Sequence, residues 1–262
     1  MRMGQRTIKL VMGLALCLSS TAASVFAEEP PSAVIAAWVK GQMKDGRLTL
    51  EFYDRNKPPH PFPGWTEFDF RLEYRYDYLT EFPKSRKGEL QVVVLPQFTK
   101  IEVPVKHRMQ LPNYLDTKLW YDSPLARHEL EHVCVGLHPR LAMLGKHLVK
   151  KVARIEATVS SPDEVNAEWI AKKVDAEMVP RRDAIQTLIQ KINQKIDDLT
   201  GHGNEALPNR NEFLSSIFLK ENLDEMKFPY LPEVLDLINT REYQRAQLVI
   251  GEEAVAPRVP KK

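Results

Sequence analysis

The sequence predicts an α+β fold: a small N-terminal antiparallel or mixed sheet, then a helix, then a long C-terminal helical region. Two observations predict it. From about residue 46 to residue 106 apolar residues recur every second position, the period of strands buried on one face. Beyond Pro112 the spacing changes to that of helices. At 262 residues, one domain with extensions is expected, and 43% apolar residues supply its core.

In the first half, Leu48, Leu50 and Phe52 alternate with polar residues. Phe68, Phe70, Leu72, Tyr74 and Tyr76 do the same opposite Asp69, Arg71, Glu73 and Arg75, and two further runs are Leu90, Val92, Val94 and Ile101, Val103, Val105. Pro-, Gly- and Lys-rich turns at 57–64 and 83–88 separate them, and His60 reads as an exposed residue of the first.

In the second half, Ser123-Pro124 forms a helix start: the hydroxyl caps free N–H groups and proline suits the first turn. This helix carries Leu125, His128, Glu129 and His132 and ends near Gly136. A second helix is expected from Pro139 to about Glu156, with Leu141, Leu144, Leu148 and Val152 in line. A third starts near Ser160-Ser161-Pro162, is open to a break at Pro180, and ends at Thr200-Gly201-His202-Gly203. Its stripe of Ile185, Leu188, Ile189, Ile192, Ile196 and Leu199 reads as core packing. Residues 206–250 read as a helical extension with one or two short helices, and 251–262 as a disordered tail.

Residues 1–27 have a basic start (Arg2, Arg6, Lys9), an apolar run from Leu10 to Leu18 and a small-residue exit ending in Ala27. That order is a secretory signal, cleaved after Ala27, and its apolar run is shorter than the roughly 20 residues a membrane span requires. The expectation is a secreted or periplasmic protein without stable membrane insertion. Three of the 37 basic residues leave with the signal, so the rest is near neutral against 35 acidic residues and offers no charge for nucleic acid. Cys17 leaves too, and Cys134 alone can form no internal disulfide.

The chemistry concentrates in His128-Glu129-Leu130-Glu131-His132. Histidines four apart lie one turn apart on one helix face, where both imidazoles can hold a single Zn2+ ion. Glu129, one step round, suits the general base that activates water toward a carbonyl. Glu131 is expected to face solvent, Cys134 to be a small buried side chain, and Trp120 to be core near the start of the helix. A third ligand must come from elsewhere. His138 stands at metzincin spacing, but Val135 holds the place of that signature's glycine. Glu156, Glu164 and Glu168 are carboxylates of gluzincin type whose spacing selects none of them. His147 reads as solvated. His202, just past the long helix and between two glycines, is the better candidate.

These motifs resemble a domain-of-unknown-function family described as bacterial secreted zinc-dependent proteases. Its members have a strand-rich first half, a Trp before a His-Glu-x-x-His helix, and a long helical stretch ending in Tyr-Asp-x-x-Thr-x-His-Gly. Here those positions are Trp120, His128 to His132, and Ile196-Asp197-Asp198-Leu199-Thr200-Gly201-His202-Gly203, with Ile196 replacing the Tyr. The resemblance covers roughly residues 40–205. It implies a zincin-like metallopeptidase domain there, a functional His202 as third metal ligand beside His128 and His132, and Asp197 and Thr200 as residues that support the ligands or fix the turn. Glu129 would be the catalytic base and a peptide or protein the substrate. By analogy with zincins, an edge strand within residues 90–106 would pair with extended substrate. A cell-wall peptide amidase would use the same chemistry, and a non-catalytic envelope binding protein could keep the fold.

Overall fold

The computed structural model of the chain describes residues 32–54, 56, 63–83 and 90–250. The expected signal, the turn carrying His60 and the C-terminal tail lie outside these residues. The architecture is α+β, as the two periodicities imply.

Helix α1 (Ser32–Lys44), for which the sequence offered no expectation, leads into strand β1 (Leu48–Tyr53). Next come β2 (Trp65–Phe70), β3 (Glu73–Glu81), β4 (Leu90–Glu102) and β5 (Val105–Pro112). β2 and β3 run antiparallel to β5 and β4 as one long ribbon. Phe70 pairs with Val105 and Glu73 with Glu102, and the Arg71 N–H bridges the interval by donating to the Pro104 carbonyl at 3.1 Å. Pro104 has no N–H to return, so the ladder breaks there and the ribbon divides between two sheets. One is mixed, in the order β1-β5-β2 with β1 parallel to β5; the other is antiparallel, in the order β3-β4-β6. The 90–106 strands are thus central, β4 between β3 and β6 and β5 between β1 and β2. The expected edge position is therefore not theirs: the outer strands of the mixed sheet are β1 and β2, and β2 packs against the next helix.

Helix α2 (Pro124–Gly136) begins as its sequence dictates, with Ser123 Oγ accepting from the Ala126 N–H at 3.1 Å and Pro124 in the first turn. Its apolar face, Ala126, Leu130 and Val133, packs with Val39, Leu48, Met109 and Leu111 from α1, β1 and β5. α3 (Pro139–Lys151) stops short of the expected Glu156, because Ile155–Val159 forms β6 against β4. α4 (Ala167–Thr200) starts at an Asn166 cap and runs straight through Pro180. Ile170, Val174 and Met178 before the proline and Ile185, Leu188, Ile189, Ile192 and Ile196 after it are buried, and that packing outweighs one lost helical hydrogen bond.

The region after residue 205 holds four short helices: α5 (Arg210–Ser216), α6 (Lys220–Glu225), α7 (Leu231–Ile238) and α8 (Arg241–Arg245). They share one core with α3 and the second half of α4. The buried Arg140 fastens them to α3: its guanidinium donates to the carbonyls of Ser215, Tyr243 (2.9 Å) and Gln244 (2.8 Å). His147, expected in solvent, is half-buried, with Nε2 3.0 Å from Asp236 Oδ1 beside α7.

Two buried imidazoles make the fold acid-sensitive. His138 caps α3 through Nδ1, which accepts from the Arg140 N–H at 3.2 Å, and burial pushes its pKa down to about 3. Burial likewise lowers His107 on β5 to about 4. Both values lie below the unfolded value of about 6.5, so the unfolded chain binds more protons as pH falls and stability is lost below neutrality. Each histidine should remove about 2 kcal/mol between neutral pH and pH 5. His138→Asn keeps a capping side chain and should flatten this acid limb in urea titrations at a series of pH values. Arg140→Met, which strands three carbonyls, should cost about 3 kcal/mol in the same assay.

Candidate metal centre

Helix α2 turns His128, Glu129 and His132 away from its apolar face, yet leaves them only 5%, 4% and 8% exposed. The last turn of α4 closes over them and contributes Asp197. His128 Nε2, His132 Nε2 and Asp197 Oδ1 form a triangle with every edge 3.2 Å. Donors about 2.0–2.1 Å from a tetrahedral ion stand about 3.3 Å apart, so these three atoms have the spacing of three ligands around one small cation. Among the described residues this is the one group of three His, Cys, Asp or Glu donors so close together.

The hydrogen bonds behind the triangle suit metal binding. Thr200 is fully buried, and its hydroxyl donates to the Ile196 carbonyl at 2.8 Å. Its oxygen accepts from the Gly203 N–H at 3.2 Å and faces His128 Nδ1 at 3.1 Å. With its single proton committed, Thr200 can only accept from His128, which places the imidazole proton on Nδ1 and the lone pair of Nε2 in the triangle. His132 Nδ1 and Asn193 Oδ1 are both buried without a hydrogen bond; Asn193 lies on α4 one turn before Asp197 and its amide favours charge on His132. Burial opposes ionisation of Asp197, but the two imidazoles hold its carboxyl well below the usual range. Burial also disfavours a charged His132, and Asp197 and Glu129 outweigh it, raising its pKa.

Glu129 stands beside the triangle without joining it. Its Oε2 accepts from the Thr66 hydroxyl of β2 at 2.6 Å. Gly64 lies against the same carboxylate, where an added Cβ would come within 2.5 Å of Oε1. Burial raises the Glu129 pKa, against the opposing pull of His132, Thr66 and His128. Glu129, the three donors and His202 line one open cavity of about 260 Å³, walled on its other side by Gly64 to Thr66.

Asp197, which the family motif casts as a supporting residue, thus occupies the third corner, and the Thr200 hydroxyl stands behind the His128 ring. His202 is outside the group: it is 58% exposed, with Nδ1 3.7 Å from Asp197 Oδ1. His138 points away into the core against Phe218, and Glu156, Glu164 and Glu168 are exposed elsewhere. Glu131 does not face solvent: it is 3% exposed and its carboxylate takes Arg210 Nε at 3.0 Å. Cys134 is buried beside that pair, its thiol pushed up to about 12 by burial, as befits a packing residue. Thr66, Gly64 and Asn193 escaped sequence reading. Gly64, ending a Pro-rich turn before a strand, was their one local signal.

Thr200→Val should leave the fold intact but weaken any divalent-cation binding at the triangle about 10- to 100-fold, measured by competition with a chromogenic chelator.

No protein-family model, curated protein or solved structure matches the chain. The donor triangle, the buried carboxylate beside it and the cavity they share are the features that bear on function.

Proposed function

We propose that the protein is a zinc-dependent peptidase, secreted or periplasmic, with His128, His132 and Asp197 as metal ligands and Glu129 as general base. The observation that carries this is the triangle of donors with 3.2 Å edges, opening on a cavity where a buried carboxylate waits beside it. Two imidazoles and a carboxylate suit zinc, and a three-donor set leaves a coordination position for substrate, whereas structural zinc sites carry four protein ligands. Zinc bound there would polarise a carbonyl and make water more acidic.

The chain's own groups supply the rest. Glu129, with its pKa raised by burial, takes the proton of the attacking water and returns it to the leaving amine. The Thr66 hydroxyl fixes that carboxylate, and Gly64 lets the backbone lie against it. β2 begins at the cavity wall with Trp65 and Thr66, pairs among the described residues only with β5, and can add an extended peptide to its outer edge. The basic, apolar and small-residue order of residues 1–27 supports export. None of the described helices is long and apolar enough to cross a membrane. A cell-wall peptide amidase is the same chemistry on a different substrate, so casein and muropeptides are the panel to compare.

Glu129→Gln should bind one zinc per chain as the parent does and lose about 10³-fold in kcat on whichever substrate the parent cleaves. Undiminished turnover by the zinc-loaded variant would remove the mechanism.

A further inference from the structure

The turn that follows α4 is built in an unusual way. Gly201, His202 and Gly203 all adopt left-handed backbone, with φ of 55°, 57° and 80°. Glycine does so freely; for histidine the conformation costs about 1 kcal/mol. Both glycines have local work: Gly201 ends the helix, and Gly203 lies so close to His128 that an added Cβ would be 3.0 Å from its ring. His202 keeps the same strained conformation with its side chain 58% exposed. The turn around it is tied down throughout. The His202 N–H donates to the Asp197 carbonyl (3.0 Å), the Gly203 N–H to Thr200, and the Glu205 N–H to the Thr200 carbonyl (2.9 Å). The result is an exposed imidazole on a rigid mount at the lip of the cavity, beside the metal-facing oxygen of Asp197. Strain of this kind persists where the surroundings over-determine it, and it gathers at functional sites.

The cavity also has an electrostatic need. Two carboxylates, Glu129 and Asp197, line the cavity, and a carbonyl attacked there would gain negative charge on its oxygen. A fixed N–H donor aimed there would favour the transition state more than the substrate. We propose that His202 is that donor: an imidazole N–H hydrogen-bonds the developing oxyanion, and His202 is a catalytic residue, not a metal ligand. This rests on the peptidase reading above.

The test compares the parent with His202→Asn, since asparagine tolerates left-handed backbone and the turn survives. Three quantities are read on each: zinc affinity by chelator competition, kcat and KM on a peptide the parent cleaves, and affinity for a phosphinic peptide that mimics the tetrahedral intermediate. The expected result is zinc affinity within about threefold of the parent and KM little changed, with kcat and phosphinic-peptide affinity both lower by about 10²-fold. Loss of zinc from His202→Asn would overturn the inference by making His202 a ligand. Unchanged kcat and inhibitor affinity in an active, zinc-loaded protein would overturn it while leaving the peptidase reading in place. A parent that binds zinc and cleaves no peptide would overturn both.

Discussion

The approach of the last turn of α4 to the middle of α2 governs the geometry of the site. Two imidazoles and the Glu129 carboxylate are held almost out of water, with Asp197 partly covered beside them, an arrangement unfavourable by itself. What holds them is apolar packing along the rest of α4, where Ile185, Leu188, Ile189, Ile192 and Ile196 are buried against α3 and the C-terminal helices. Gly203 lies tightly against the His128 ring, where an added Cβ would stand 3.0 Å away. Thr200 then serves as the hinge pin of the contact. One hydroxyl ties off the Ile196 carbonyl, receives the turn through Gly203 and orients His128. The C-terminal helices belong to this scheme, because Arg140 clamps them onto α3 and so backs the core against which α4 lies.

Two glutamates on α2, two residues apart, show how environment divides labour. Glu129 faces the cavity, where its hydrogen-bond donor is a neutral hydroxyl, that of Thr66. Glu131 faces the other side of the helix, where Arg210 meets it as a cation next to the buried Cys134. Burial raises both carboxyls, but Arg210 opposes the rise at Glu131 and ties that residue into structure. The ion pair also anchors the start of α5, and with it the end of the segment that begins at the strained His202 turn.

Much of the site's first helix was legible in the sequence, because its signals are local. The Ser123-Pro124 start, the one-turn spacing of His128 and His132, and Glu129 beside them depend on residues within a turn or two of each other. The alternation of Phe68 to Tyr76 marked strand, but the division of that run between β2 and β3 depends on Pro104, far along the partner strand. Which strand lies at an edge likewise depends on long-range pairing. The third donor was obscured for a related reason. Asp197 and His202 sit five residues apart around a helix end, and the handedness of the turn decides which one reaches α2. The left-handed run turns His202 outward, while Asp197, still helical, shares a face with Thr200. Glu131 was misread because its partner, Arg210, is 79 residues away.

The central claim is that one metal ion sits on the His128, His132 and Asp197 triangle with a side left open. Crystals grown with zinc and measured on both sides of the zinc absorption edge test it directly. The account predicts one anomalous peak about 2 Å from His128 Nε2, His132 Nε2 and Asp197 Oδ1, with its fourth position toward the cavity shared with Glu129. A fully occupied peak elsewhere, or one closed off by a fourth protein side chain, would contradict it.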